Sequence, residues 1–331
     1  PETLRRIKPL EQVEPAGFTA GQVTMRSLLH HRLLMLPMLW LSGCAYSNRQ
    51  SGLDPMSGTT QMSDDLYQLI LWVDVIMAVA VTLGLAYALW RFRYRGETER
   101  PVQTHGHLLM EIGWTIAPIV ILVAIMVPTV KTIFAQQAPP AHDALKIKVI
   151  AKQWWWEYEF EDSGVVVGNE LHIPVGKPVY LDMVSHDVIH AWWVPKLTGK
   201  RDVNSWQRTQ LAFTADEVGT YYGQCTEFCG DSHSLMRIKV IVDTPEDFAK
   251  WLAAQKAGVV AQPSDEVRQA LAQCQTCHSI RGLNGPDGKP QVGIRRTLQV
   301  GREGAQSGPD LTHVGGRSSL FADVRPNTKE S

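Results

Sequence analysis

The 331-residue sequence is short of charge: 32 Lys plus Arg and 33 Asp plus Glu make up 20% of it, against about 25% in ordinary soluble domains. Such a deficit points to a chain that places part of itself where charge is costly, as in a bilayer. Neither sign prevails, the formal net charge being -1, so the broad basic footprint of a nucleic-acid-binding protein is missing and nucleic acid is not an expected partner. With 19 Pro, 26 Gly and 44% hydrophobic residues, the composition excludes a disordered or collagen-like chain and leaves ample material for a core. Cysteine is scarce, five in all, yet not scattered: Cys44 stands alone, Cys225 and Cys229 are four apart, and Cys274 and Cys277 are three apart. The length accommodates two or three domains.

Residues 1–24 precede a plausible start at Met25 and are expected to be an upstream extension outside the fold. Residues 25–43 read as an export signal: Arg26 and Arg32 lead into a run over 33–41 too short to cross a bilayer, closed by Leu41-Ser42-Gly43-Cys44. That box resembles the bacterial lipoprotein signal, which implies lipidation of Cys44 as the first residue of an exported segment over 44–65; the alternative is a buried Cys in an uncleaved anchor. Two transmembrane helices follow, over 66–90 and 108–133. Asp74 is the only charge in the first apolar run and Glu111 the only charge over 108–130, and both runs exceed the roughly 20 residues needed to cross the hydrocarbon layer. The loop over 91–107 carries Arg91, Arg93, Arg95 and Arg100, which by the positive-inside rule makes it cytoplasmic and turns both outer ends of the hairpin outward. Asp74 and Glu111 are expected either to face protein or a water-filled path, or to reach the headgroups.

Over 142–256 the pattern changes to short alternating segments at 145–151, 154–160, 179–184, 210–213 and 235–242, punctuated by Gly and Pro. Short strands at such spacing predict an antiparallel sandwich or barrel. At Thr244-Pro245-Glu246-Asp247 an N-cap, a proline and early acidic residues start a helix through Phe248, Trp251 and Leu252. Residues 257–263 read as a linker to a last domain over 264–331.

One twelve-residue stretch gathers Cys225, Glu227, Cys229, His233 and Met236. Soft sulfur with imidazole favours copper or zinc, and a thioether favours copper. Two Cys with a Met suggest thiolates bridging a pair of copper ions, with a second imidazole from the segment holding His186 and His190. A disulfide between the cysteines and a core role for His190 are the structural alternatives. The pattern Gly223-Gln224-Cys225-x-Glu227-x-Cys229-Gly230-x-x-His233-x-x-Met236, with Asp187-Val188-x-His190-x-Trp192-x-Val194-Pro195 upstream, resembles the copper A site of cytochrome c oxidase subunit II. The resemblance implies Cys225 and Cys229 as bridging ligands, His190 and His233 as imidazole ligands, Met236 through sulfur and Glu227 through its carbonyl. His186 falls outside the family's ligand position. It also implies that the Glu227 carboxylate reaches a magnesium ion shared with subunit I. Glu111-Ile112-Gly113-Trp114-Thr115-Ile116-Ala117-Pro118 resembles the family's second helix, implying that Glu111 lies at the mouth of a proton path. Gln153-Trp154 resembles its aromatic region, implying that Trp154 receives electrons from cytochrome c; packing is the alternative there, and the expected role of Trp155 and Trp156.

Cys274-Gln275-Thr276-Cys277-His278 matches C-x-x-C-H, in which two thioethers fix haem c and the histidine is its proximal ligand. With Gly308-Pro309-Asp310-Leu311-Thr312-His313 it resembles a class I cytochrome c fused to subunit II, an arrangement that raises the effective concentration of donor and acceptor. A zinc site would need a second cysteine pair. No Met follows Met236, so the domain reads as truncated, with His313 or water as a weak sixth ligand.

The expected architecture is thus a membrane helical hairpin, an all-β cupredoxin-like Greek-key sandwich and a partial all-α cytochrome c-like domain. The implied protein is subunit II of an aerobic oxidase in a bacterial inner membrane, with its copper and cytochrome domains on the periplasmic side. It would accept electrons from cytochrome c and pass them to subunit I, where oxygen is reduced to water with linked proton pumping; subunit III is a further expected partner. The competing reading is a membrane-anchored copper-binding or copper-delivery protein. Nitrous oxide reductase shares the ligand motif but should bring a large catalytic domain and no such hairpin, and quinol oxidase subunit II lacks the copper ligands.

Overall fold

The computed structural model describes residues 48–96, 103, 106–137, 141–257, 262–276, 278, 280, 281, 283, 308–321 and 324–328. The upstream extension, the export signal, Cys44, Arg100 and Cys277 lie outside the described residues. Helices α1 (Gly58–Arg91) and α2 (Leu108–Gln136) are long and apolar enough to cross a membrane, and neither buries its most apolar window within the chain. Pro118 and Pro128 sit inside α2. Such prolines are tolerated in membrane helices, where the freed backbone groups find other partners.

The first helix begins ahead of the expected residue 66 because Ser57 caps it, its hydroxyl accepting from the Thr60 amide at 3.1 Å. The same hydroxyl donates to the Leu197 carbonyl at 2.5 Å, and the Met56 amide to that of Lys196 at 2.8 Å, so the foot of α1 is fastened to the following domain. Lys196 pairs with Asp54 beside this joint. At the other end of the hairpin's outer rim, Gln136 donates to Ser63 Oγ at 2.8 Å and to the Thr59 carbonyl at 3.2 Å. The start of α1 and the end of α2 therefore lie side by side, as the hairpin expectation requires.

Ten strands form two five-stranded sheets. They are β1 (Leu145–Lys152), β2 (Trp155–Phe160), β3 (Val165–Gly168), β4 (Glu170–Pro174), β5 (Pro178–Ser185), β6 (His190–Trp193), β7 (Arg201–Val203), β8 (Thr209–Thr214), β9 (Gly219–Cys225) and β10 (Arg237–Asp243). One sheet runs β3-β2-β1-β5-β8 and the other β4-β10-β9-β6-β7. The expectation of a purely antiparallel sandwich is corrected at two places: β1 pairs with β5, and β4 with β10, in parallel. The cause is connectivity. After the β1–β2–β3 meander the chain crosses to the other sheet as β4 and returns as β5 beside β1, a crossover rather than a hairpin, which is what a parallel pair needs. Asn169 makes the crossing at φ 64°, in the left-handed region that Asn tolerates, and its side chain accepts from the Trp156 amide at 3.0 Å.

Between the sheets lie Ile147, Val149, Trp156, Tyr158, Leu171, Leu181, Trp192, Ile238 and Val240, all fully buried or nearly so. Helix α3 (Pro245–Lys256) starts at the expected Thr244 cap and lays Trp251 against Phe160 at 5.5 Å and over His172 at 4.3 Å. Beyond it the described residues hold α4 (Asp265–Ala272), single turns at Cys274–Thr276 and Val314–Gly316, and a two-stranded ladder of β11 (Ser319–Leu320) with β12 (Arg325–Pro326). An all-α description of this part thus omits the ladder.

Gly223 lies on β9 where it passes β6. A methyl group there would sit 2.1 Å from the Trp193 carbonyl oxygen and 2.7 Å from Val194 Cγ2. Gly223→Ala should therefore force these strands apart, with a loss of about 1–3 kcal/mol, visible as a lower thermal midpoint of the sandwich.

Candidate metal centre

Antiparallel pairing of β6 with β9 sets Trp192 opposite Cys225, bringing the start of one strand and the end of the other to the same rim of the sandwich. His190 opens β6 and Cys225 closes β9. The chain then loops out and returns through a single turn at His233–Leu235. The Cys225 amide donates to the Met236 carbonyl at 2.9 Å and that of Thr226 to the Ala191 carbonyl at 3.1 Å, closing the loop on both sides.

Six groups converge inside it. The two thiol sulfurs are 3.8 Å apart; His190 Nδ1 is 3.8 Å from Cys225 Sγ, and His233 Nδ1 is 3.5 Å from Cys229 Sγ. Met236 Sδ is 3.9 Å from Cys229 Sγ and the Glu227 carbonyl oxygen 3.3 Å from Cys225 Sγ. His190 and Met236 are completely buried, while Cys225 and Cys229 are buried and free. The disulfide alternative is therefore not the state of this chain. His186 is not part of the cluster; its amide donates to the Ala151 carbonyl. Two thiols, two imidazoles, a thioether and a carbonyl within bonding reach of a small volume suit soft-metal ions and fit a copper pair.

The surroundings orient these groups. Asp187 Oδ1 lies 2.7 Å from His190 Nε2, which directs Nδ1 toward the sulfurs in the carboxylate–histidine arrangement common around metals. Burial tends to raise Asp187 and lower His190, but their mutual contact, together with the Gln153 and Val188 amides on Asp187 and Cys225 beside His190, outweighs it, so the carboxyl is held below and the imidazole above its ordinary range. Burial also tends to raise both thiols. At Cys225, contacts with His190 and the backbone at Ala191 and Glu227 reverse this and bring the thiol down to about 7, whereas at Cys229 the neighbouring sulfur adds to burial and pushes it up.

The β1–β2 turn of the opposite sheet covers the cluster. Gln153 Nε2 and Trp154 Nε1 both donate to the Cys229 carbonyl, at 2.7 and 3.0 Å, and the Gln153 amide donates to Asp187 at 2.8 Å. Trp154 is partly exposed, whereas Trp155 and Trp156 are buried. Trp156 meets His190 edge-on at 6.0 Å. Gly230, at φ 114°, leaves room for the Trp154 ring: a methyl group there would lie 3.1 Å from its Cζ2 atom. Asp187, Gln153 and Gly230 escaped the sequence-based assignment of roles, although all three stand in the motifs quoted above. On the outer side His233 is half-buried beneath exposed Phe228, their rings 5.8 Å apart.

The remaining candidates lie elsewhere. Glu111, in the first turn of α2, accepts from the His107 amide at 3.2 Å while His107 Nδ1 accepts from that of Met110 at 3.4 Å, a reciprocal cap at the loop end of the helix. In the C-terminal part Cys274 is free and exposed. His278 Nδ1 is 2.7 Å from the Pro309 carbonyl, which leaves Nε2 available to a metal, and Gly308 packs so closely that a methyl group there would be 2.4 Å from the His278 ring. His313 Nε2 is engaged with the Ala257 carbonyl at 2.9 Å. Removing the carboxylate behind His190 should loosen the centre without emptying it: Asp187→Asn is expected to cost about 10- to 100-fold in copper affinity, measured by competition with a copper chelator.

The family model for the periplasmic domain of cytochrome c oxidase subunit II matches residues 164–243, and that for its transmembrane domain matches 49–132. Cytochrome c oxidase subunit 2 of Alkalihalophilus pseudofirmus is 33% identical over 303 residues, covering 87% of this chain and 82% of that one. Its namesake from Bacillus subtilis is 31% identical over 330 residues, with coverages of 91% and 87%. The crystal structure of the periplasmic domain of subunit II of cytochrome oxidase from Bradyrhizobium japonicum is 30% identical, with a TM-score of 0.35, spanning 36% of this chain and 97% of that domain. Likeness to such relatives along most of their length and its own shows that the chain belongs to the cytochrome c oxidase subunit II family, respiratory membrane proteins whose membership implies a copper A centre.

Proposed function

We propose that this chain is the electron-accepting subunit of a bacterial haem-copper oxidase. It would take electrons from cytochrome c and pass them to haem in subunit I, where oxygen is reduced to water and protons are pumped. The observation that carries this reading is the convergence of His190, Cys225, Glu227, Cys229, His233 and Met236 on one buried volume. In this reading Cys225, Cys229, His190, His233, Met236 and the Glu227 carbonyl would together hold a pair of copper ions. When bound, such a pair would supply one-electron transfer, with the electron shared over two metals.

The chain's own contribution is rigidity. Burial, the Asp187–His190 contact and the β6–β9 ladder hold the donor atoms in one arrangement, which keeps reorganisation small whichever charge the centre bears. Trp154 is the proposed point at which electrons arrive, since its ring is partly exposed on one side and bonded to the Cys229 backbone on the other. The hairpin would anchor the subunit as a multi-pass protein of the inner membrane, with the arginine-bearing loop inside and the sandwich in the periplasm. Subunits I and III are the proposed partners in the membrane, with Glu111 at the mouth of a proton path and the Glu227 carboxylate toward a shared magnesium ion. Cys44 is the proposed lipidation site. Cys274 and Cys277 are the proposed thioether attachment points of haem c and His278 its proposed iron ligand, an assignment supported by the free Cys274 and the Pro309 carbonyl behind His278.

Two measurements test this reading. In the full chain, copper-loaded and partly oxidised, electron paramagnetic resonance should show hyperfine structure from one electron shared by two copper nuclei. Cys225→Ser should abolish that pattern; a mononuclear signal from the unaltered chain would instead support copper handling. Trp154→Phe should leave the spectrum unchanged while slowing reduction by cytochrome c at least about 10-fold, equivalent to about 1.4 kcal/mol of barrier.

A further inference from the structure

Lys239 and Glu170 face each other across the parallel β10–β4 pair, at strand positions that alternate with the core residues Ile238, Val240 and Leu171. They belong to the outer face of the sheet, where charged side chains ordinarily remain in water. Here they are only 8% and 7% exposed. What covers them is the chain's own C-terminal segment. Glu170 Oε1 accepts from Ser318 Oγ at 2.7 Å, Ser319 Oγ at 2.9 Å and the Ser319 amide at 3.1 Å, and Lys239 Nζ donates to Ser318 Oγ at 2.6 Å. The two charges are 3.6 Å apart. Burying such a pair is costly unless its remaining hydrogen-bonding capacity is met, and the two serines meet it. Burial tends to raise the Glu170 carboxyl, but the serine hydroxyls and Lys239 outweigh that and hold it below its ordinary range.

A second contact lies at the other end of the segment. Pro309 packs against Gly168, where a methyl group would be 2.8 Å from Pro309 Cβ and 3.6 Å from the Trp155 ring. Pro309 also supplies the carbonyl facing His278 Nδ1. Between these points His313 meets the Ala257 carbonyl at the end of α3, where Arg281, outside the segment, also donates to the Gln255 carbonyl at 3.1 Å.

We propose that Glu170 and Lys239 form a docking clamp for residues 308–320, fixing the segment that orients His278 in one pose on the sandwich, beside the Trp154–Trp155 turn. On a flexible tether, donor and acceptor would meet by local diffusion; in a clamped pose they are held together, a consequence for electron transfer that rests on the haem c reading above. The clamp itself is carried by the serine, glutamate and lysine contacts alone.

The test is amide hydrogen exchange on the full chain in detergent, comparing the unaltered protein with Glu170→Gln and with Ser318→Ala/Ser319→Ala. The serine variant leaves every sandwich residue in place and so remains informative if the glutamate variant folds poorly. The Ser319 amide should be protected in the unaltered chain and exchange about 10-fold faster or more in the variants, with sandwich protection and the copper spectrum unchanged. Exchange over 308–320 at the rate of unstructured peptide in the unaltered chain, or protection unaffected by both variants, would overturn the clamp. A haemochrome spectrum of the same samples tests the other reading separately: absence of covalent haem with protection retained would reject haem binding and keep the clamp. With haem bound, internal reduction of the copper centre should be insensitive to salt in the unaltered chain and salt-sensitive in the serine variant; salt sensitivity in the unaltered chain would count against a fixed pose.

Discussion

The short ladder between β6 and β9 is the contact on which the rest depends. It sets Trp192 opposite Cys225 and thereby brings His190, at the start of one strand, level with the cysteine loop that follows the other. A shift of one residue would turn every side chain of β6 to the opposite face. His190 would leave the sulfurs and Trp192 would leave the core, so the hydrophobic interior and the metal centre enforce the same register. Gly223 is where this constraint becomes steric, because the Trp193 carbonyl approaches it too closely for any side chain.

The cluster is also a joint between sheets. Cys225, Cys229, His233 and Met236 come from the second sheet or its loop, whereas Gln153 and Trp154 reach over from the first. Asp187 binds the two by accepting from the Gln153 backbone and facing His190. Polar groups taken from water would each be costly alone; here the Cys229 carbonyl is met by Gln153 and Trp154, and the Asp187 carboxylate and His190 imidazole meet each other. The membrane hairpin is fastened to the same body at Ser57 and Lys196, just beyond the strand that carries His190. Anchor, cage and cover are thus parts of one bonded structure, as a centre requires whose geometry must stay fixed through a change of charge.

The long features were legible in sequence. Two apolar runs announced α1 and α2, and alternation announced β1, β5, β8 and β10 close to their observed limits. The Thr244-Pro245 cap placed α3. Strands β3, β4, β6 and β7 were not legible: they are three to five residues long, and β6 is buried along most of its length, so period-two alternation has no room to appear. The parallel pairs were equally hidden, because pairing across distant segments leaves no local signature.

The sequence by itself determined the chemistry: which donor atoms exist, their softness, and the helices long enough for a bilayer. Spacing within the cysteine segment was enough to group Cys225, Cys229, His233 and Met236, since a loop of twelve residues has few ways to separate them. Spacing alone left the second histidine open between His186 and His190; the family resemblance pointed to His190, and the fold sets that ring 3.8 Å from Cys225 Sγ. Only strand register brings His190 to the sulfurs, only the opposite sheet supplies Asp187's second contact and the Trp154 cover, and only the path of the C-terminal segment buries Glu170 and Lys239. These outcomes belong to tertiary structure for one physical reason: each joins residues whose separation along the chain carries no information about their separation in space.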